Sequence, residues 1–315
     1  MKKTKWLKII LLSIFVALAV YAGWRFPWKG TWAAIKKANI FLLSVACLIN
    51  LSSLAAKGWS WHLLLKPLAY NHFEATQKAT FIGAMINCIS ISFVGEAARV
   101  ENISRREKIP LPPVLTSLVW ERLIEGISLA VLIIIAPIFL NLPSGLKAVW
   151  VGAVGVVILF SLLTFGLFHS KPHQIYRFLS FINKSLPDYL NEFSSPALLL
   201  LPILLTLYSW TAEWLTFHLS LMSFMSQPAL VASYLALLAT NLGGALRLTP
   251  ANVGVFQASM VVSVAACGIP SETAMAASLA LQGLQVIPVI LIGFLLVSPW
   301  KNRKKDDQSN IKPGN

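Results

Sequence analysis

Seven apolar runs, at residues 7–24, 38–56, 114–140, 147–169, 197–219, 229–246 and 273–298, dominate the chain. About 20 apolar residues in a helix cross a bilayer core, and the runs are of that order. Lipid offers no partner to a backbone N–H or C=O, so only helices and closed barrels span it. A barrel strand alternates lipid-facing and lumen-facing residues, whereas Leu129 to Ile135 has no polar partner face. The expected fold is all-α, a polytopic helical membrane protein of about eight transmembrane helices. One domain is expected over residues 1–300, with a basic, polar and disordered cytoplasmic tail at 301–315.

Composition bears on what such a chain meets. It is 57% hydrophobic and 12% charged, with a net charge of +14. In a soluble protein that charge would suggest nucleic acid, but here Lys and Arg sit in connectors and tails, where anionic headgroups are the natural partners. Membrane lipids with anionic headgroups are therefore the expected partners, and nucleic acid is not. Cys47, Cys88 and Cys267 lie far apart in apolar segments without metal-ligand spacing, as buried free thiols do.

The start of the chain, Lys2, Lys3, Lys5 and Lys8 before an apolar run with Ala17-Leu18-Ala19, imitates a secretory signal. The run continues through Tyr21 towards Trp24, which gives it spanning length, so an uncleaved first helix is expected. Basic residues crowd the N-terminus, the connectors 57–78 and 170–196, the segment 99–108 and the tail from Lys301 to Lys305. The positive-inside bias puts these, and both termini, on the cytoplasmic side of the inner membrane. Segment 25–37, with Arg25, Lys29, Lys36 and Lys37, strains that assignment. A surface helix with Trp24, Trp28 and Trp32 at headgroup level would account for it.

Two segments differ from the rest. Residues 80–94 are short, carry Asn87, Ser90 and Ser92 and end at Gly95, while 250–267 opens with Pro250-Ala251-Asn252-Val253-Gly254. Such interruptions suit half-helices or re-entrant hairpins facing protein or a water-filled cavity. They are related by an internal repeat: Val94-Gly95, Ile109-Pro110, Arg122 and Glu125 correspond to Val253-Gly254, Ile269-Pro270, Gln282 and Gln285. An odd number of spans between the copies would invert them, the arrangement of alternating-access transporters.

Charge inside the apolar runs is the strongest functional signal. Trp120-Glu121-Arg122-Leu123-Ile124-Glu125 opens the run that ends at Leu140, and an intramembrane charge costs roughly 2.5–3.5 kcal/mol on insertion scales unless paired. Arg122 reaches Glu125 at i,i+3. Either this is a structural ion pair, or Arg122 holds a phosphate through its planar fork. Glu96 and Arg99 follow the first interruption, and Glu213 lies alone inside 197–219, as a structural carboxylate or as one that handles a proton or amine. Arg247 reads as a snorkelling interface residue. Asn241, Asn252, Gln257, Gln282 and Gln285 either line a hydrated path or bind helices together.

No nucleophile cluster or nucleotide-binding glycine loop is found, and His169 and His173 flank Lys171-Pro172 with no carboxylate beside them, so no metal or cofactor is expected. After Trp300 only a short tail remains.

The stretches Phe93-Val94-Gly95-Glu96-Ala97-Ala98-Arg99, Ile109-Pro110 and Glu121-Arg122-Leu123 carry a family resemblance, as do Leu248-Thr249-Pro250-Ala251-Asn252-Val253-Gly254 and Gly268-Ile269-Pro270. With them the chain resembles the lysylphosphatidylglycerol synthase transmembrane-region family, the flippase-like domain that also forms the N-terminal part of the bacterial multiple peptide resistance factor. Gln257 stands in place of a frequent glutamate, and Gln282 where many members carry arginine. In the two-part relatives aminoacyl transfer resides in a separate soluble domain, so the resemblance implies moving or exposing a lipid without making it. A lipid-modifying enzyme encoded separately would be a further partner.

The expected function is thus translocation of an anionic or phosphate-bearing lipid between leaflets, without catalysis. Glu96, Arg99, Arg122, Glu125, Glu213, Asn252, Gly254 and Gln257 are the candidate substrate-binding residues. The alternatives are a membrane-embedded transferase acting on a lipid-linked substrate and a non-transporting scaffold for envelope lipid synthesis.

Overall fold

The computed structural model describes residues 27–68, 72–90, 94–140, 197–245 and 249–309, with isolated positions at 147, 151 and 155 and side chains as far as Val297. The run 7–24, nearly all of 147–169, Arg247, His169 and His173 lie outside the described residues. The described residues are helical: α1 Trp28–Lys36, α2 Ile40–Leu65, α3 Phe73–Ile89, α4 Val94–Glu107, α5 Leu111–Phe139, α6 Ala197–Met222, α7 Leu230–Gly244, α8 Val255–Ala265 and α9 Ser271–Ser309. Short 3₁₀ turns occur at Lys66–Leu68 and Pro250–Asn252.

Four stretches are long and apolar enough to cross a bilayer: Ile40–Leu68, Leu111–Phe139, Leu198–Met222 and Ser271–Val297. Their outer faces carry side chains such as Ile40, Phe139 and Leu295, which are more than 70% exposed, as lipid-facing residues are. The run 229–246, expected as a span, is held by the 15-residue α7, about 22 Å at 1.5 Å per residue against a hydrocarbon core of about 30 Å. α1 has the exposed Trp28 and Trp32 of the expected surface helix; Trp24 lies outside the described residues.

The connector placed at 57–78 is corrected. α2 runs through Lys57 to Leu65, because the lysine finds carboxylates on other helices and no Pro or Gly-Pro step stops the turn. Asn39 starts α2 by accepting the Leu42 N–H at 3.2 Å. The seam between α2 and α6 is built from small polar residues. Ser53 and Ser209 hydroxyls meet at 2.7 Å, Ser60 donates to the Pro202 carbonyl at 3.2 Å, and Thr216 to the Ala46 carbonyl at 3.5 Å. In lipid there is little hydrophobic drive between helices, so close approach and interhelical hydrogen bonds hold such seams.

Both interrupted segments are present. The first is a helical hairpin in which α3 and α4 fold back on each other at Gly83 and Gly95. The Gly95 N–H donates to Asn87 Oδ1 at 2.8 Å, so the polar residue that marked the interruption satisfies the freed backbone. α3 begins earlier than the apolar stretch implied, because Glu74 and Lys78 pair at i,i+4 and Gln77 donates to the Ala55 carbonyl of α2 at 2.9 Å. The second follows α7. Ala251 and Asn252 adopt left-handed φ of 49° and 56°, and Gly254 caps α8 at φ 87°. In each half a helix, a break, a second helix and an Ile-Pro step precede a long apolar helix. The halves interlock where α3 packs on α9, with Met85 against Gly293.

A Cβ at Gly95 would collide with the Gly83 carbonyl oxygen and lie 2.5 Å from Asn87 Oδ1. Gly95→Ala is therefore expected to destabilise by about 1–3 kcal/mol through overpacking. The check is the thermal midpoint of the purified protein in detergent, with an unchanged midpoint counting against the close crossing.

Candidate functional site

The hairpin positions the charges. Glu96 and Arg99 lie on α4 just past the crossing, and the α5 face opposite presents Glu121, Arg122 and Glu125. Arg99 donates to both carboxylate oxygens of Glu121, one bond being Nη1 to Oε1 at 3.2 Å, and its guanidinium lies 4.5 Å from the Trp61 ring centroid. Arg99 is 6% and Glu121 3% exposed. A bidentate pair stacked on an aromatic ring is the arrangement that arginine's planar fork favours. Trp61 is itself fixed by donating its indole N–H to Ser117 Oγ at 3.0 Å.

Arg122 is different. It contacts Glu125 at 2.5 Å and Glu96 at 3.6 Å, yet its side chain is 46% exposed. From the far side Lys57 of α2 reaches Glu125 at 4.0 Å and Glu213 of α6 at 3.7 Å, with its ammonium 5.4 Å from the Trp210 ring centroid. Glu213, which reads in sequence as a lone carboxylate, thus has a partner. Lys57 and Arg122 with Glu96, Glu125 and Glu213 form one connected network, and the Arg99–Glu121 pair stands beside it; the three cations and four carboxylates together carry a formal excess of one negative charge. A cavity of about 200 Å³ runs beside it, lined by Lys57, Asn87, Glu96, Arg99, Arg122 and Glu125 among others.

A second cavity, about 500 Å³, lies against the broken segment of the other half and is lined by Asn87, Glu213, Asn241, Asn252, Gln282 and Gln285 among others. Asn87 borders both cavities, and the Lys57–Glu213 pair joins a residue of the first to a residue of the second. Gln257 and Gly254 hold the break. Gln257 accepts the Gly254 N–H at 2.7 Å and donates to Gln282 Oε1 at 2.5 Å, and Gln282 donates to the Ala251 carbonyl at 2.7 Å. Gln257 and Gln282 are nearly buried, so in this half an amide pair crosses between α8 and α9 where Arg99 and Glu121 cross between α4 and α5.

Of the residues singled out in sequence, Glu96, Arg122, Glu125 and Glu213 come together in the charged network, and Arg99 lies beside it, paired with Glu121. Asn252 lines the larger cavity, while Gly254 and Gln257 stand behind it and support its wall. Lys57 was missed; the available signal was a single lysine in an otherwise apolar run that continues through Trp59 and Trp61. Among the described residues no three His, Cys, Asp or Glu gather as a metal site.

A helical membrane protein with broken helices in both halves, and with ion pairs gathered in the first half and reaching α6 through Lys57, is the class this fold and site define. Over residues 6–293 the chain matches the family described as Lysylphosphatidylglycerol synthase TM region. It belongs to that family, whose described role concerns membrane lipid. No curated protein matches the chain.

Removing one member of a buried pair leaves the other charge uncompensated, at a cost of about 3–5 kcal/mol. Arg99→Ala and Glu121→Ala are each expected to lower the thermal midpoint sharply, and the Arg99→Met/Glu121→Leu double variant to recover most of it. Equal losses in single and double variants would show that the pair is not coupled.

Proposed function

We propose that the protein translocates a phosphate-bearing lipid between the leaflets of the inner membrane, without altering it chemically. The observation that carries this reading is Arg122, a half-exposed guanidinium that lines the smaller cavity and is the most exposed member of its ion-pair network. The two termini are assigned to the cytoplasm on the charge bias of the flanking segments, and the two halves act as inverted copies around the two cavities that Asn87 borders.

A phosphate enters this network by exchange. The excess negative charge opposes simple addition of an anion, so the phosphate takes Arg122 from Glu96 and Glu125 while Glu125 keeps Lys57 as its partner. Arg99 stays with Glu121 and holds α4 on α5 during the exchange. Lys57 shares its charge between Glu125 and Glu213, so loss of one partner is compensated by the other. This couples occupancy of the smaller cavity to the wall of the larger one, the physical requirement for a headgroup to pass between them. The separate apolar face of the bundle leaves the acyl chains in lipid.

Leaflet exchange of fluorescent lipids in proteoliposomes tests the proposal. Arg122→Ala is expected to reduce exchange of phosphate-bearing lipids at least about tenfold, the loss of one charge-assisted contact of about 1.5–3 kcal/mol, with insertion and monodispersity unchanged. Full exchange in the variant removes Arg122 from the path. No exchange of any lipid by the well-folded wild type contradicts translocation, and a covalently changed lipid would instead identify a transferase.

A further inference from the structure

The larger cavity has a chemistry of its own that the charged network does not use. Its polar wall is made of carboxamides, Asn87, Asn241, Asn252, Gln282 and Gln285, drawn from the first interrupted segment, α7, the second interrupted segment and α9. Each carboxamide offers two N–H donors and a carbonyl with two lone pairs. Asn252 and Gln285 make no side-chain hydrogen bond to the described residues, and Asn241 uses only its Nδ2, donating to the Leu237 carbonyl at 2.9 Å. Thr240 and Thr249 add hydroxyls and Glu213 a single carboxylate, while Phe217 and Phe256, with ring centroids 6.0 Å apart, supply an apolar wall. The left-handed Ala251 and Asn252 keep the broken segment along this wall, and backbone held in sparsely populated regions clusters at ligand sites.

A neutral amide wall gives an ionic group little compensation for desolvation. It suits a ligand whose polar groups both donate and accept, that is, a ring of hydroxyls, with the apolar C–H face of the ring set against phenylalanine. At about 500 Å³ the cavity is within the range of about 300–1,000 Å³ usual for small-molecule sites. We propose that this chamber is a glycosyl subsite, taking a neutral hexose attached through phosphate to the lipid, with Asn241, Asn252 and Gln285 as its direct hydrogen-bonding residues. Asn87, at the border of both cavities, stands where the sugar would join the phosphate. The inference rests on the phosphate reading of the smaller cavity and deepens it to a headgroup class.

Calorimetric titration of the purified full chain in detergent with glucose 1-phosphate and with inorganic phosphate tests it. Wild type is expected to bind glucose 1-phosphate at least about tenfold more tightly than phosphate, because an analogue lacking the hydroxyls leaves the chamber's amides unmatched. Gln285→Leu and Asn241→Leu are each expected to cut that advantage below about threefold while leaving phosphate affinity unchanged, which also reports that the variants are folded; Gln285→Asn should restore part of it. Arg122→Ala should weaken both probes alike. Equal binding of both probes by wild type, or an advantage that survives both leucine variants, overturns the glycosyl subsite and leaves the phosphate reading standing. A sugar advantage lost in the leucine variants, with both affinities untouched by Arg122→Ala, sinks the phosphate reading and keeps the chamber. Binding of neither probe overturns both.

Discussion

The cost of placing charge in a hydrocarbon slab governs this molecule. Arg99 and Glu121, both nearly buried, meet that cost by bidentate pairing and by stacking on Trp61. Their pairing fixes the hairpin of α3 and α4 to the long helix α5, and the close Gly83–Gly95 crossing brings Glu96 into range of Arg122. Lys57 then ties the assembly to α6 through Glu213. Without this network the polar hairpin would have no place among the spanning helices.

The second half solves the same problem without charge. Gln257 and Gln282 bridge α8 and α9, and their remaining amide groups bind the backbone of the break at Gly254 and Ala251. Neutral amides cost less to bury than ions, which suits a wall that borders a cavity and carries no counter-ion. The two halves share an order of elements and divide the chemistry, ionic on one side and amide on the other. Asn87 and the Lys57–Glu213 pair lie where the two meet.

Much of this was legible in the sequence, for a physical reason. Spanning helices announce themselves because lipid tolerates few alternatives, and the interruptions at Asn87 and Pro250 stood out against apolar surroundings. The i,i+3 contact of Arg122 with Glu125 follows from helix geometry alone. Lys57 was read as a connector residue because its partners, on α5 and α6, are distant in sequence, and only folding brings them within 4 Å. For the same reason Glu213 read as a lone carboxylate and Glu121 stayed outside the candidate residues, although it anchors Arg99. Asn252 and Gln257 both drew notice as amides, and one lines the cavity while the other braces it. Residue type cannot separate those roles; the direction of the chain through the left-handed turn at Ala251 and Asn252 does.

The most direct measurement of the central claim, that a phosphate-bearing headgroup passes through the two cavities under the control of Arg122, uses the native Cys88 in the wall of the larger one. With Cys47 and Cys267 replaced by alanine, the rate of Cys88 modification by a charged, water-soluble thiol reagent is followed in proteoliposomes of neutral lipid and after adding phosphate-bearing lipid. The expected result is modification that slows with the added lipid, with the protection lost in Arg122→Ala. A thiol that does not react in neutral lipid, or that reacts at one rate whatever the lipid and whatever stands at 122, would contradict it.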